Sequence, residues 1–144
     1  MDTGLIGPLV VSHAVAGLFV IAAWRWPRVA RYVGGVAFLF AGAFNIWVAH
    51  TNAIVYVRGF GPHAIPLYRN FIYGDFARHT SAIVDAIAAG QIAVGALAFT
   101  PLPWRKLSFI GAIVFLLAIT PLGIGAAAPS TLIFAAGFFV LASR

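Results

Sequence analysis

Three polar side chains lie inside long apolar runs of the sequence. They are His13, Asn45 and Asp85. Asp85 is one of only three acidic residues in the chain. A carboxyl group beside an imidazole can accept a proton, and together they can orient a polar headgroup such as a quinone carbonyl. The same side chains can instead hydrogen-bond to one another and hold helices together. The residues alone leave both interpretations open.

Spacing along the chain predicts that these three side chains share one layer. From the start of its apolar run, Asp85 lies about 14 Å along a helix and His13 about 12 Å. Asn45 lies about 20 Å along a run that crosses in the opposite direction. We therefore predict a polar pocket of His13, Asn45 and Asp85 near the middle of a membrane, which is the candidate ligand-binding or proton site.

The other three histidines raise the question of a metal site. His50, His63 and His79 are predicted near one face of the membrane, and neutral imidazole binds Zn, Cu and Fe. However, no two histidines lie three or four residues apart on one helix. A metal site is therefore not favoured, and no cofactor is certain.

Composition decides the protein class. Of 144 residues, 62% are hydrophobic and 8% are charged, whereas soluble domains carry about 25% charged residues. Such a chain cannot hide its apolar surface from water, so an all-α integral membrane protein is predicted. The net charge of +6 comes from short basic clusters between apolar runs, which indicates topology signals and not nucleic-acid binding. With no cysteine, disulfide and thiolate chemistry is excluded.

The apolar runs predict one bundle of four to five transmembrane helices over residues 1–144, with five preferred. Each span needs about 20 residues. The stretch 107–143 is too long for one span and contains "TPLGIGAAAPS", which favours a turn, although one bent span is the alternative. The stretch 58–75, which connects the second and third spans, is either an interfacial loop or a lid over a site that opens outward. The predicted spans are about 5–24, 32–57, 76–100, 107–119 and 129–143, with an outer interfacial connection at 58–75.

Basic residues predict the orientation. Under the five-span arrangement six of them lie on one side and three on the other, together with Asp2 and Asp75. The side with more basic residues faces the cytoplasm, so the N-terminus is predicted outside and the C-terminus inside. Frequent alanine, glycine and arginine are typical of a bacterial source, and the predicted location is the bacterial cytoplasmic (inner) membrane.

Small residues at helical spacing predict close helix packing, within the chain or with a partner. Ala82, Ala86 and Gly90 form a stripe on the third span, and Gly35 and Gly42 share a face of the second. Gln91 is expected to point away from the polar pocket and to link helices.

The segments "VGGVAFLFAGAFNIWVA" (33–49) and "AAGQIAVGALAFTPLPWRK" (88–106) resemble the DoxX-like family of small helical membrane proteins. The resemblance extends over residues 33–144. Asn45 stands where the family pattern has Lys, and Gln91 where it has Glu, so an ionic pair in the family would be a neutral amide pair here. The resemblance implies association with quinone-linked or other redox membrane complexes.

Together these features predict an accessory or scaffold subunit of a larger membrane complex, and not a catalyst on its own. Its polar pocket would hold a quinone-like or lipid headgroup. Expected partners are membrane lipid and other membrane subunits or further copies of the chain. The alternatives are a small quinone-binding redox membrane protein and a proton-coupled carrier that works through Asp85.

Overall fold

The protein is all-helical, as predicted. The computed structural model describes residues 3–124 and 126–144, so Asp2 lies outside the described residues. Within them there are seven α-helices, a π-helical turn at Ile72–Phe76 and a 3₁₀ turn at Thr120–Leu122. The helices are α1 (Thr3–Arg25), α2 (Pro27–Thr51), α3 (Ile54–Phe60), α4 (Pro66–Phe71), α5 (Thr80–Leu97), α6 (Trp104–Ile119) and α7 (Ser130–Ala142).

Four of these helices are long and apolar enough to cross a membrane. They comprise Ile6–Arg25, Pro27–Thr51, Thr80–Leu97 and Trp104–Leu122. The stretch predicted as either two spans or one bent span forms two separate helices, α6 and α7, and α7 is a shorter apolar helix of 13 residues. Helices α3 and α4 belong to the long connection between α2 and α5. We call the end of the bundle that carries this connection the outer end, following the predicted topology.

Helix α2 begins and ends earlier than the predicted span 32–57. Pro27 occupies its first turn, where proline needs no hydrogen-bond partner for its nitrogen and its φ already suits a helix. At the other end Asn52 leaves the helix with φ −155°. Residues 52–57 therefore belong to the outer connection and contribute to α3.

Helix α5 begins four residues later than the predicted start at Phe76. Gly74 in the π-helical turn has non-helical dihedrals (φ −98°, ψ −107°), and His79 has φ −130°. Because the helix begins only at Thr80, Asp85 lies about 8 Å from its outer end. The sequence-based depth of Asp85 was therefore too great by about one helical turn.

Among the described residues, the most extensive helix contact is the antiparallel packing of α2 against α5. A Cβ atom added to Gly42 would lie 2.6 Å from Ile92 Cγ1 and 2.9 Å from the Ala88 carbonyl oxygen. One added to Gly35 would lie 2.8 Å from Ala98 Cβ. Glycine at these positions lets the two backbones approach, and the approach brings the polar side chains of both helices within hydrogen-bonding distance.

Aromatic rings join α1, α2, α6 and α7 toward the other end of the bundle. The Phe138 ring of α7 lies 4.9 Å from that of Phe19, 5.6 Å from that of Phe38 and 6.4 Å from that of Phe109, centroid to centroid. All four side chains are buried. This cluster fixes α7 between α1 and α6.

The outer connection, residues 52–79, is hydrogen-bonded to the end of α6 and to the turn between α6 and α7. The Tyr68 hydroxyl donates to the Ala118 carbonyl at 2.8 Å, and the Ile65 amide donates to the Pro121 carbonyl at 3.1 Å. Gly123 has φ +102°, a conformation that glycine adopts without strain, and it lies directly against the His63 backbone. The connection therefore covers the outer end of the bundle.

Candidate functional site

The structure does not bring His13, Asn45 and Asp85 together. His13 Nδ1 lies 2.6 Å from the Leu9 carbonyl oxygen of its own helix. Asp85 instead pairs with His50, and Asn45 pairs with Gln91. Within residues 3–124 and 126–144 no hydrogen bond joins any two of the three predicted site residues. The packing register of α2 against α5 sets these pairs, because it places Asp85 opposite His50 and Gln91 opposite Asn45.

His50 and Asp85 form a bridge between the outer parts of α2 and α5. His50 Nε2 lies 2.9 Å from Asp85 Oδ2 and 3.1 Å from Oδ1. The two side chains are 57% and 40% exposed. Beside them the Ser81 hydroxyl donates to the Ala49 carbonyl at 2.8 Å. These contacts link the same two helices, and Asp85 does not line the cavity described below.

A chain of three neutral side chains lies deeper between the same helices. The Tyr56 hydroxyl donates to Asn45 Oδ1 at 2.8 Å, and Asn45 Nδ2 donates to Gln91 Oε1 at 2.7 Å. Burial raises the pKa of the Tyr56 phenol above its ordinary value of 10.0, so the hydroxyl stays protonated and can donate at neutral pH. We call Tyr56, Asn45 and Gln91 the amide relay.

The relay ends in a free donor. Gln91 is only 5% exposed, and its Oε1 accepts from Asn45. No hydrogen bond within the described part of the chain uses its Nε2 group. Because this nitrogen is not among the fully buried atoms that lack a partner, it has accessible surface, and it can donate to an acceptor atom of a ligand.

Gln91 lines a large cavity in the outer half of the bundle, which we call the outer cavity. Its volume is about 860 Å³, within the range of pockets for small organic ligands. The wall is mainly aromatic and aliphatic, and the relay supplies three of its polar groups. Lining residues are Ala41, Asn45, Tyr56, Phe60, Leu67, Tyr68, Phe71, Ile72, Phe76, Ile83, Val84, Ile87, Gln91, Phe115, Leu116, Ala118, Ile119, Leu122, Ala126, Ala127, Ser130, Thr131 and Phe134.

Helix packing accounts for the position of this cavity. At the inner end α5 and α6 are in contact, since Ser108 Oγ donates to the Val94 carbonyl at 2.7 Å. Toward the outer end the cavity separates them, and the connection with Phe60, Tyr68 and Phe76 forms its cover. Both sequence interpretations of this connection, an interfacial loop and a lid, are compatible with its place over a cavity, so the choice between them stays a prediction.

The remaining predicted residues lie elsewhere. His63 and His79 are exposed, and His79 Nδ1 lies 3.2 Å from the Asp75 carbonyl oxygen. Within the described ranges no three His, Asp or Glu side chains are grouped closely enough to hold a metal ion. Ala82, Ala86 and Gly90 are exposed, so no helix in the described ranges covers this stripe. Whether a partner covers it stays a prediction.

Sequence reasoning missed Tyr56 and misplaced Gln91. The signal for Gln91 was present, because the family pattern aligned Asn45 and Gln91 with two positions that would pair. Tyr56 carried no such signal, since it lay at the end of a predicted span and the structure places it in a separate short helix.

Comparison with protein-family models, curated proteins and solved structures finds no match to this chain. The DoxX-like resemblance therefore stays a prediction, and the functional argument depends on the site itself.

Proposed function

We propose that this protein is a multi-pass membrane protein that binds a lipophilic molecule with a neutral, hydrogen-bond-accepting head, such as a quinone or a neutral lipid, in the outer cavity. The observation that carries the proposal is the free Nε2 group of Gln91 on the wall of an otherwise largely apolar cavity. A carbonyl or ether oxygen is the complement of such a donor.

The chemistry of the wall favours a neutral head. Its polar side chains belong to Asn45, Tyr56, Tyr68, Gln91, Ser130 and Thr131, and none of the lining residues is Asp, Glu, Lys, Arg or His. A charged head would lose its hydration without gaining a counter-ion, which is strongly unfavourable. A neutral acceptor meets no such penalty, and its apolar body would pack against the aromatic wall.

Access fits a ligand that arrives from lipid. Leu67, Phe71 and Ile87 line the cavity while 73%, 48% and 40% exposed, respectively. They belong to α4 and α5, so the mouth lies at the side of the outer half of the bundle. A lipophilic molecule could enter there without passing through water, with the outer connection acting as the lid.

The alternatives differ in what supports them. A carrier working through Asp85 gains no support from the geometry, because Asp85 is bonded to His50 and does not line the cavity. An accessory-subunit role remains a prediction, since either lipid or partner proteins would cover the exposed apolar faces of α1 and α2. Mass spectrometry of everything that co-purifies in gentle detergent tests that role, and finding only this chain and bulk lipid would contradict it.

The binding proposal is tested with the full chain in lipid nanodiscs and a radiolabelled methyl-benzoquinone, with empty nanodiscs as the background. Gln91→Leu removes the free donor at similar volume, and Tyr56→Phe removes the first donor of the relay. Asp85→Asn is the control. We expect Gln91→Leu to weaken binding by about tenfold, the value of one neutral hydrogen bond, and Asp85→Asn to bind as the natural chain does.

Binding that is no greater than in empty nanodiscs, or that is equal in Gln91→Leu and the natural chain, would refute the proposal. Mass spectrometry of the lipid extract of the purified protein separates the two ligand sources. Enrichment of a quinone over bulk lipid identifies one, and enrichment of a neutral lipid identifies the other.

A further inference from the structure

A second cavity lies between α1, α2, α6 and α7. We call it the inner cavity, and its volume is about 490 Å³. Apart from Gln91, every residue that lines it is apolar, including Phe19, Val33, Ala37 and Phe138. Val15, Leu18 and Val33 line it while 50%, 65% and 56% exposed, respectively, so the space is an apolar groove open at the side of the bundle, and hydrocarbon is the chemistry that fits it.

The two cavities are stacked along the bundle and share a wall. Along α2, the inner cavity extends from Val29 to Ala41 and the outer cavity begins at Ala41. Along α7, Phe134 lines both cavities and Phe138 only the inner one. The shared residues are Ala41, Gln91, Phe115, Leu116 and Phe134.

Gln91 therefore lines both the outer cavity, which has polar groups, and the inner cavity, which is otherwise apolar. On its outer side are the aromatic cover and the amide relay. On its inner side is a purely apolar groove about 18 Å long, counted along α2. A molecule whose acceptor atom binds Nε2 would have a bulky part on one side and only hydrocarbon on the other.

We infer that the inner cavity holds the hydrocarbon chain of the molecule whose head occupies the outer cavity, which makes the ligand a long-chain neutral lipid. This inference rests on the proposed function. The occupant follows from adjacency, because the two cavities share five lining residues, Gln91 among them, and the inner cavity offers no further polar group to any other ligand. Burial of each additional methylene then adds to affinity.

The test compares two probes with the same head in nanodiscs, a methyl-benzoquinone and the same ring carrying a ten-carbon chain. Ala37→Trp adds an indole at a position that lines the inner cavity and does not line the outer one. Val36→Trp is the matched control, since Val36 is 56% exposed on the same helix and lines neither cavity. Val33→Trp is a second blocking variant for the case in which Ala37→Trp does not fold.

We expect the chain-bearing probe to bind the natural protein more tightly than the bare ring. A blocking tryptophan should weaken its binding by about tenfold for every two methylenes displaced, without changing the binding of the bare ring. Val36→Trp should change neither. If the blocking variants leave the chain-bearing probe unaffected, or weaken both probes equally, the inference is wrong.

A photoreactive diazirine at the end of the chain gives a second readout on the natural protein. We expect cross-links in the Val15–Ala22 part of α1, which lines only the inner cavity. Cross-links confined to residues of the outer cavity would overturn the inference. If neither probe binds at all, the proposed function fails as well, whereas binding of the ring with no effect of chain length refutes this inference alone.

Discussion

At the scale of single residues, the interior of this bundle relies on neutral hydrogen bonds. Asn45 and Gln91 link α2 to α5 without placing an ion in the apolar interior. An ionic pair at the same place would have to recover the hydration energy of two charges. The amide pair avoids that penalty and leaves the Gln91 Nε2 group, with its two N–H donors, for another molecule, so we expect the same two residues to serve packing and binding.

The strength of this pair can be measured with a double-mutant cycle of Asn45→Leu and Gln91→Leu. Each single change leaves a buried amide without its partner, which costs about 1 to 3 kcal/mol. The double variant should be more stable than the sum of the single losses implies, with a coupling of about 0.6 kcal/mol and at most about 1.7 kcal/mol. Unfolding in mixed detergent–lipid micelles gives the free energies. Additive losses would mean that the amides do not interact.

Asp85, the only acidic residue on a long apolar helix among the described residues, contributes differently from the amide pair. Because His50 and Asp85 are 57% and 40% exposed and lie near the outer helix ends, their pairing resembles that of a surface ion pair. Such pairs contribute about 0 to 1 kcal/mol. We therefore expect Asp85→Asn to lower the unfolding free energy by less than about 1 kcal/mol and to leave quinone binding unchanged. A large loss of binding with retained folding would restore Asp85 as a functional residue.

At the scale of helices, two glycines near the Asn45–Gln91 pair have opposite environments: Gly42 lies three residues before Asn45, and Gly90 lies one residue before Gln91. Gly42 on α2 packs against α5, whereas a Cβ atom added to Gly90 on α5 meets no described atom within 4 Å. The chain thus supplies a matched pair of sites for one chemical change.

Gly42→Ala should destabilise the bundle by about 1 to 3 kcal/mol, because the added methyl group overpacks the contact with Ile92. Gly90→Ala should stabilise α5 by up to about 1 kcal/mol through higher helix propensity. Thermal unfolding in one detergent compares both with the natural chain. Equal effects would mean that α2 and α5 do not meet at Gly42. A loss of stability or self-association in Gly90→Ala would instead indicate that a partner covers the exposed stripe.

Most of the helical architecture was predictable, and the site was predictable only in part. Apolar runs of sufficient length identified the long helices, because hydropathy over about 20 residues is a strong signal. Their ends were not predictable to one turn, since local backbone breaks at Asn52 and Gly74 decide where α2 stops and α5 starts. Asp85 and Gln91 lie six residues apart, about 9 Å along the helix, so an error of one to two turns in the packing register exchanges one for the other as the neighbour of Asn45. The cavities depend on how helices separate, which no local sequence pattern encodes.

At the scale of the whole molecule, charge is distributed unequally between the two ends of the bundle. Six cations lie at the inner end of the bundle, in the helix ends that flank the α1–α2 and α5–α6 turns and at the C-terminus, and three lie in the outer connection. The first group is Arg25, Arg28, Arg31, Arg105, Lys106 and Arg144, and the second is Arg58, Arg69 and Arg78. If the long helices cross a membrane, this difference places the outer cavity near the non-cytoplasmic face.

The orientation is testable because the natural chain contains no cysteine, so a single introduced thiol gives an unambiguous label. Asn70→Cys lies in the outer connection and Ser143→Cys near the C-terminus, and both native side chains are exposed. In intact bacterial cells with a permeable outer layer, a membrane-impermeant maleimide should label Asn70→Cys at once. It should label Ser143→Cys only after the membrane is opened. The reverse pattern would place the lid and the outer cavity on the cytoplasmic side. Equal labelling of both variants before the membrane is opened would contradict an odd number of membrane crossings between residues 70 and 143.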